Sequence, residues 1–337
     1  MASVPNFDSL PAVKNMPEGC AWGVFDKDGQ KDVYGTLNHL TPAVVKSAYS
    51  ELQTGVSVSL NWPLNAIHKP GFGRKPAEHR IINFRDSKET PLAGFDDELD
   101  INTQSSSQWD SLVHFHHQPS ESAYNGAKPT VEDLKKSKVS EKALPTIDHW
   151  HVRGGLVARG VLVDYKRYAE EEGIEYDPCS DHNISVEVIE DVVKKQGVEL
   201  RAGDVLIVRM GFTDALDGRS AEEQAKSMSA HQACGIRGGK AMAKWIWDSR
   251  FAAVAGDMLA LEQMPPRNED GSLGKLQDLP LHQYMLGLFG CPIGELWDLS
   301  RLAKTCKELR RYSFLLTSAP LNMPNLVASP PNALALF

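Results

Sequence analysis

The chain has 337 residues, 42% hydrophobic and 24% charged, with a net charge of −8. That suits a large-cored globular protein of one big domain or two; it argues against a nucleic-acid role, and no apolar run is long enough to span a bilayer. Five scattered cysteines (Cys20, Cys179, Cys234, Cys291, Cys306) form no CxxC pair, which points to core thiols in a reducing cytoplasm rather than a disulfide framework or a thiolate zinc site.

Residues 1–20 carry Pro5, Pro11 and Pro17 without periodicity and read as an arm, with neither the basic nor the apolar segment of a signal peptide. Residues 21–337 read as a single domain. After a loop with turns at Asp28-Gly29 and Tyr34-Gly35, Thr41 is placed to cap a helix that starts at Pro42 and ends at Gly55. Residues 56–60 alternate as a strand. A long excursion over 61–100 holds one strand near 80–84. Tyr124-Asn125-Gly126 is a turn, and 130–142 a lysine-rich surface helix. A buried strand over 154–165 leads to helices over 165–173 and 185–197. Residues 205–209 are a strand, 221–229 and 240–248 helices, and 251–256 a short buried strand. A loop over 263–279 precedes a helix over 281–288, broken by Gly290 and Pro292. A segment at 293–297 leads to a helix over 299–309, then a last strand at 313–317 and a proline-rich tail ending in Ala335-Leu336-Phe337, which is no peroxisomal address. No repeat is present. Strands and helices mix without strict βαβ alternation, which favours one α/β or α+β domain around a mixed sheet.

The chemistry concentrates in residues 102–118, NTQSSSQWDSLVHFHHQ. Gln108 and Asp110, two apart, share a face on a strand; Asp110 and His114, four apart, share one on a helix. A strand running into a helix there aims all three at one point; a polar loop capped by Asp110 is the plainer alternative. Farther on, His282 and Glu295 flank a glycine-broken turn. Carboxylate, imidazole and carboxylate make a donor set suited to zinc or manganese, although each residue alone also reads as a cap or ion-pair partner. Asp257 and Glu262 form a further acidic pair.

These clusters, in this order, resemble the cyclase family of metal-dependent hydrolases, which includes bacterial-type kynurenine formamidase and isatin hydrolase. The family signature HxxxHxDxxxH, followed much later by His and Glu, aligns with Gln104, Gln108, Asp110 and His114, then His282 and Glu295. Segments 22–40, 154–165, 200–212, 254–265 and 329–333 look like family segments too. The first two signature histidines are glutamines here, as in what resembles a fungal-type branch. Amide oxygen is a weaker zinc ligand than imidazole.

The resemblance implies a swivelling β/β/α fold and a homodimer or homotetramer. It implies a divalent ion, zinc or manganese, at Asp110, His282 and Glu295 with Gln108 as an added oxygen ligand. The substrate is a small cyclic or aromatic molecule whose amide, formamide, lactam, ester or lactone is hydrolysed. In this reading His114 is the general base, and Gln104 and Gln108 donate N–H to the developing oxyanion. Trp109 stacks on the substrate; Tyr124 and Asn125 contact it; Phe115 is core, and His116 and His117 lie outside the ligand set. The alternatives are a polyketide-type cyclase or dehydratase, and a non-catalytic member that has lost its metal.

Overall fold

The computed structural model describes residues 4–86, 88–89, 92–136, 144–268 and 270–337. Its centre is a nine-stranded mixed sheet. Across it run, in order, Ser57–Ser59, Ala333–Leu336, Ser313–Ser318, Leu156–Asp164, Val205–Arg209, Ala253–Gly256, Ile293–Glu295, Gln108–Asp110 and Ala328–Ser329. Neighbours from Leu156–Asp164 through Ile293–Glu295 are parallel, and the pairings outside them are antiparallel. This is the mixed α/β class expected from the sequence.

Parallel strands covered on both faces must be apolar on both. In Val205–Arg209, Leu206 and Val208 enter one core, and Val205 and Ile207 the other. The first core is closed by helices Val186–Gln196, Phe212–Asp217 and Lys240–Asp248, through Ile189, Leu216 and Ile246 among others. The second is closed by helix Ser300–Leu309 and by the tryptophans Trp109, Trp150 and Trp297. The strand Leu156–Asp164 buries two charged side chains, Arg159 and Asp164, the latter paired with Arg209 at 3.0 Å. Arg159 meets Glu51 Oε1 at 2.9 Å and Asp204 Oδ2 at 2.8 Å, and so fastens helix, strand and turn together.

Residues 4–20 lie along helix Lys240–Asp248. Phe7 is buried, its N–H donates to Asp248 Oδ1 at 2.7 Å, and Trp247 Nε1 donates to Pro5 O at 3.0 Å. Thr41 caps helix Pro42–Ala48 through Val44 N–H, as its position predicts. Among the described residues no helix is long and apolar enough to cross a membrane.

Five expectations need correction. The tail is not irregular: Ala328–Ser329 and Ala333–Leu336 join the sheet on either side of Pro330-Pro331. The excursion over 61–100 holds a second strand, Phe95–Asp100, paired with Glu78–Asn83; its acidic sequence hides the signal. The helix after His282 is a π-helix, Gln283–Phe289. Finally, no helix follows Asp110. Ser111 N–H is held by Val327 O at 3.0 Å, and Ser111 O accepts from His114 N–H at 3.0 Å in a turn. Of the surface helix expected over 130–142, the described residues form a single turn, Val131–Leu134, with a Thr130–Asp133 capping box; residues 137–142 lie outside the described residues.

Candidate metal centre

Strand register builds the first half of the centre. Glu295 is the direct cross-strand partner of Gln108, and Ile293 of Asp110. Gln108, Asp110 and Glu295 therefore project from one face. Gln108 Nε2 donates to Glu295 Oε2 at 2.7 Å and to Gln104 Oε1 at 3.1 Å, and Gln104 Nε2 donates to Asp110 Oδ1. Gly294, between Ile293 and Glu295, is required by close approach. A Cβ there would lie 2.7 Å from Ala255 Cβ and 3.0 Å from the Trp297 ring.

The second half comes from the short helix Pro280–His282. Glu262 holds it: Oε1 accepts from His282 N–H at 2.8 Å and faces His282 Nδ1 at 2.9 Å, while Oε2 accepts from Leu281 N–H at 3.1 Å. That leaves His282 Nε2 facing Glu295 Oε1 at 3.2 Å, off the line of a good hydrogen bond. One ligand atom each from Asp110, His282 and Glu295 lies within 4.8 Å of the others. A carboxylate on the far imidazole nitrogen is the usual way a ligating histidine is oriented. Glu262 and Glu295 each adjoin a leucine in the left-handed region, Leu261 at φ 53° and Leu296 at φ 55°. Bulky residues are rare there, and such strain collects at functional sites.

The donor atoms fit a cation. Asp110 Oδ2, Glu295 Oε1 and Gln108 Oε1 are buried oxygens with no hydrogen-bond partner. Each such group costs about 1–3 kcal/mol if left so. With His282 Nε2, which Glu295 Oε1 faces at 3.2 Å, they offer a predominantly oxygen set, harder than two histidines would give.

Charge is balanced on the same scale. Burial and then Asp110 push Glu295 up, to about 7, and its contacts with His282 and Arg74 work the other way. Burial disfavours charge on His282, but the adjoining carboxylates of Glu262 and Glu295 outweigh it and push its pKa up to about 10. The two groups touch, so their protons come off as a pair. Burial lowers His114, opposed by Asp110 and helped by His282 and Arg74; it is held neutral and close to the centre. Arg74 donates to Gln104 O at 3.2 Å. Burial lowers it also, against the pull of Glu295 and Asp110.

Asp110, His282 and Glu295, far apart in the chain, meet here with Gln104 and Gln108 bonded to them, and His114 lies near enough to feel the charges of Asp110 and His282. Other placements differ from expectation. Trp109 alternates to the opposite face, fully buried, with ring centroids 5.3 Å from Trp150 and 4.9 Å from Trp297; it cannot stack on a ligand at Asp110. Tyr124 Oη donates to Asp32 at 3.2 Å, and Asn125 Nδ2 donates to Asp26 at 2.6 Å and Asp32 O at 3.2 Å. Both anchor the 23–35 loop instead of facing the centre. Both N–H groups of Gln108 are taken, so its free atom is the oxygen; an oxyanion donor is left only on Gln104. Phe115 packs edge-on against His282 at 5.2 Å. His117 bonds Ser120 Oγ at 2.9 Å, away from the ligand atoms. In the sequence Glu262 pairs only with Asp257 and has no visible link to His282; Arg74 carries no signal in spacing at all. Asp257 accepts from Met210 N–H at 2.7 Å and Gly211 N–H at 2.6 Å, so it closes a turn.

Residues 39–263 match the sequence profile of the family described as "Putative cyclase". The crystal structure of a novel cyclase superposes with a TM-score of 0.79 at 30% identity, over 94% of this chain and 99% of that one. Isatin hydrolase A from Labrenzia aggregata, bound to benzyl benzoate, gives 0.56 at 16% identity, over 89% and 98%. Isatin hydrolase A from Ralstonia solanacearum gives 0.53 at 14%, over 88% and 98%. At those two identities the likeness is one of fold. Comparison with curated protein sequences gives no match.

Proposed function

The chain belongs to the cyclase family, and from that premise we propose that it is a metal-dependent hydrolase, opening an amide, lactam, ester or lactone in a small cyclic or aromatic substrate. Asp110 Oδ2, Glu295 Oε1, Gln108 Oε1 and His282 Nε2 would hold a divalent ion, manganese in preference to zinc. Such an ion, when bound, supplies Lewis acidity toward a carbonyl and toward water. The chain's own groups do the rest. Gln104 fixes Asp110 and keeps one N–H for a developing oxyanion. Neutral His114 takes the proton from the attacking water and returns it to the leaving nitrogen or oxygen. Glu262 holds the His282 tautomer, so that Nε2 stays free of a proton when it ligates. Arg74 adds a positive charge at the edge of the centre, where a carboxylate product would form. Assembly as a homodimer or homotetramer in the cytoplasm belongs to the same reading.

The observation that carries the proposal is the meeting of Asp110, His282 and Glu295, with ligand atoms within 4.8 Å of one another, among buried oxygens that have no hydrogen-bond partner. Metal analysis of the purified protein, with Asp110→Ala alongside, tests it. Stoichiometric metal lost in the variant supports the reading; tight zinc that survives Asp110→Ala removes it. A metal-free scaffold is the competing reading. It is favoured by the amide N–H bonds that already tie Gln104 to Asp110 and Gln108 to Glu295, and the same measurement separates the two.

A further inference from the structure

We infer that the crevice outside the carboxyl end of strand Leu156–Asp164 is a second ligand site, one that takes a small phosphorylated molecule. The crevice has a volume of about 790 Å³, and Asp164 is among its lining residues. Helices Tyr165–Glu172 and Val186–Gln196 wall it from one face of the sheet, and the end of helix Ser300–Leu309 from the other. At this strand parallel pairing with Val205–Arg209 gives way to antiparallel pairing with Ser313–Ser318. Crevices beyond the carboxyl ends of parallel strands are the usual ligand sites of α/β sheets. This one is separate from the candidate metal centre. Asp164 and Glu295 stand on strands three steps apart in the sheet, roughly 14 Å at the usual spacing, and no lining residue belongs to the centre.

The charge left over in the crevice is positive, in a chain whose net charge is −8. Two of its carboxylates are already matched: Arg209 holds Asp164 at 3.0 Å, and Glu171 meets Arg167 at 2.9 Å and Lys195 at 3.1 Å. Lys304, Lys307 and Arg310 also line it and form no ion pair among the described residues. Against these three stands one unpaired carboxylate, Glu308. Lys304 and Lys307 are three apart on one helix, where like charges repel. A helix C-terminus favours cations in its last turn, and that accounts for Lys307. It does not account for Arg310, which caps the helix in the left-handed conformation at φ 51°. The two neighbouring helices end in the same conformation with glycine, Gly173 at φ 68° and Gly197 at φ 65°, the residue that conformation favours. Arginine at 310 strains the backbone and brings a guanidinium to the crevice.

A phosphomonoester fits these groups. At neutral pH it carries about −1.5 to −2 charge and three acceptor oxygens. A guanidinium fork takes two such oxygens side by side, and ammonium groups serve the remaining charge. Tyr168 and Tyr312 line the crevice with hydroxyls that have no hydrogen-bond partner among the described residues, and so add neutral donors. The volume is that of a small-molecule pocket and not of a lone ion, so an organic group accompanies the phosphate. The inference rests on none of the metal chemistry proposed above.

Calorimetric titration of the full chain with phenyl phosphate at low ionic strength tests it, with succinate as a dicarboxylate control. The wild type should bind one phenyl phosphate per chain, more tightly than succinate, and more weakly as salt is raised. Lys304→Gln/Lys307→Gln should weaken that binding about tenfold or more. Arg310→Gly separates a binding role from a structural one. Glycine relieves the left-handed backbone, so the melting temperature should hold or rise while affinity falls about tenfold. Asp110→Ala should bind phenyl phosphate as the wild type does. A wild type that binds none at millimolar concentration overturns the inference. Affinity unchanged in both crevice variants does so too, leaving an adventitious anion contact only. Loss of binding in Asp110→Ala would place the ligand at the candidate metal centre and overturn the second site, with the proposed function left standing. Succinate bound as tightly as phenyl phosphate overturns the assignment to phosphate.

Discussion

Glu262→Gln perturbs the proposed centre without touching a ligand. Glu262 is 1% exposed and accepts three N–H groups, His282 N–H and Leu281 N–H from the backbone and Nδ1–H from the imidazole. Glutamine keeps the shape and one acceptor oxygen. Its NH2 then opposes a buried N–H, which costs the folded protein about 1–3 kcal/mol, and the charge that orients His282 and makes it a stronger ligand is gone. Losing such a partner typically weakens metal affinity about 10–100-fold, or about 1.4–2.7 kcal/mol. At a metal concentration of about 100 times the wild-type Kd, bound metal stabilises the wild type by about 2.7 kcal/mol; with affinity down about 100-fold the same concentration gives only about 0.4 kcal/mol. Calorimetric titration with manganese and zinc, with thermal melts in the presence and absence of each ion, reads both quantities. Equal metal-induced stabilisation in wild type and variant would refute the assignment of His282 Nε2 as a ligand, whatever the variant does to the metal-free melt.

Four further outcomes are expected. His114→Asn should lower turnover by about two to four orders of magnitude with the melting temperature nearly unchanged; a destabilised protein with normal turnover takes His114 out of the mechanism. Metal affinity should fall as pH falls, because His282, pushed up to about 10 by Glu262 and Glu295, and Glu295, pushed up to about 7 by burial and Asp110, must both lose protons to ligate; the loss should steepen from about tenfold to about a hundredfold per unit below about pH 7, and a profile that does not steepen argues against Glu295. Gln108→His should tighten zinc more than manganese, since imidazole replaces an amide oxygen; unchanged zinc affinity on titration means position 108 does not face the ion. Arg159→Leu should cost about 3–5 kcal/mol in denaturant unfolding, because Glu51 and Asp204 are left without their buried cation, while metal binding stays as in the wild type; a stable variant contradicts the role given to that pair.

What the sequence determined is local. Period and punctuation placed the helices Val186–Gln196, Ala221–Ser229 and Lys240–Asp248 and the strands Leu156–Asp164 and Val205–Arg209 close to their observed bounds, because apolar spacing and Gly or Ser boundaries act within a few residues. The order of Gln104, Gln108, Asp110, His114, His282 and Glu295 was enough to place the chain in its family and to point at one pocket. Tertiary structure decided the rest. Which face Trp109 takes depends on its pairing with Gly294, a partner 185 positions away in the chain. The turn after Asp110 exists because Val327, in a tail that read as irregular, takes the Ser111 N–H. Tyr124 and Asn125 have their polar groups claimed by Asp26 and Asp32, from a loop whose position no spacing reveals. Glu262 acquires its meaning only when folding sets its carboxylate under the N–H groups of Leu281 and His282. A sequence pattern fixes which groups are available and the direction each leaves its own backbone; which of them end up sharing a hydrogen is set by long-range register, and that is a property of the whole sheet.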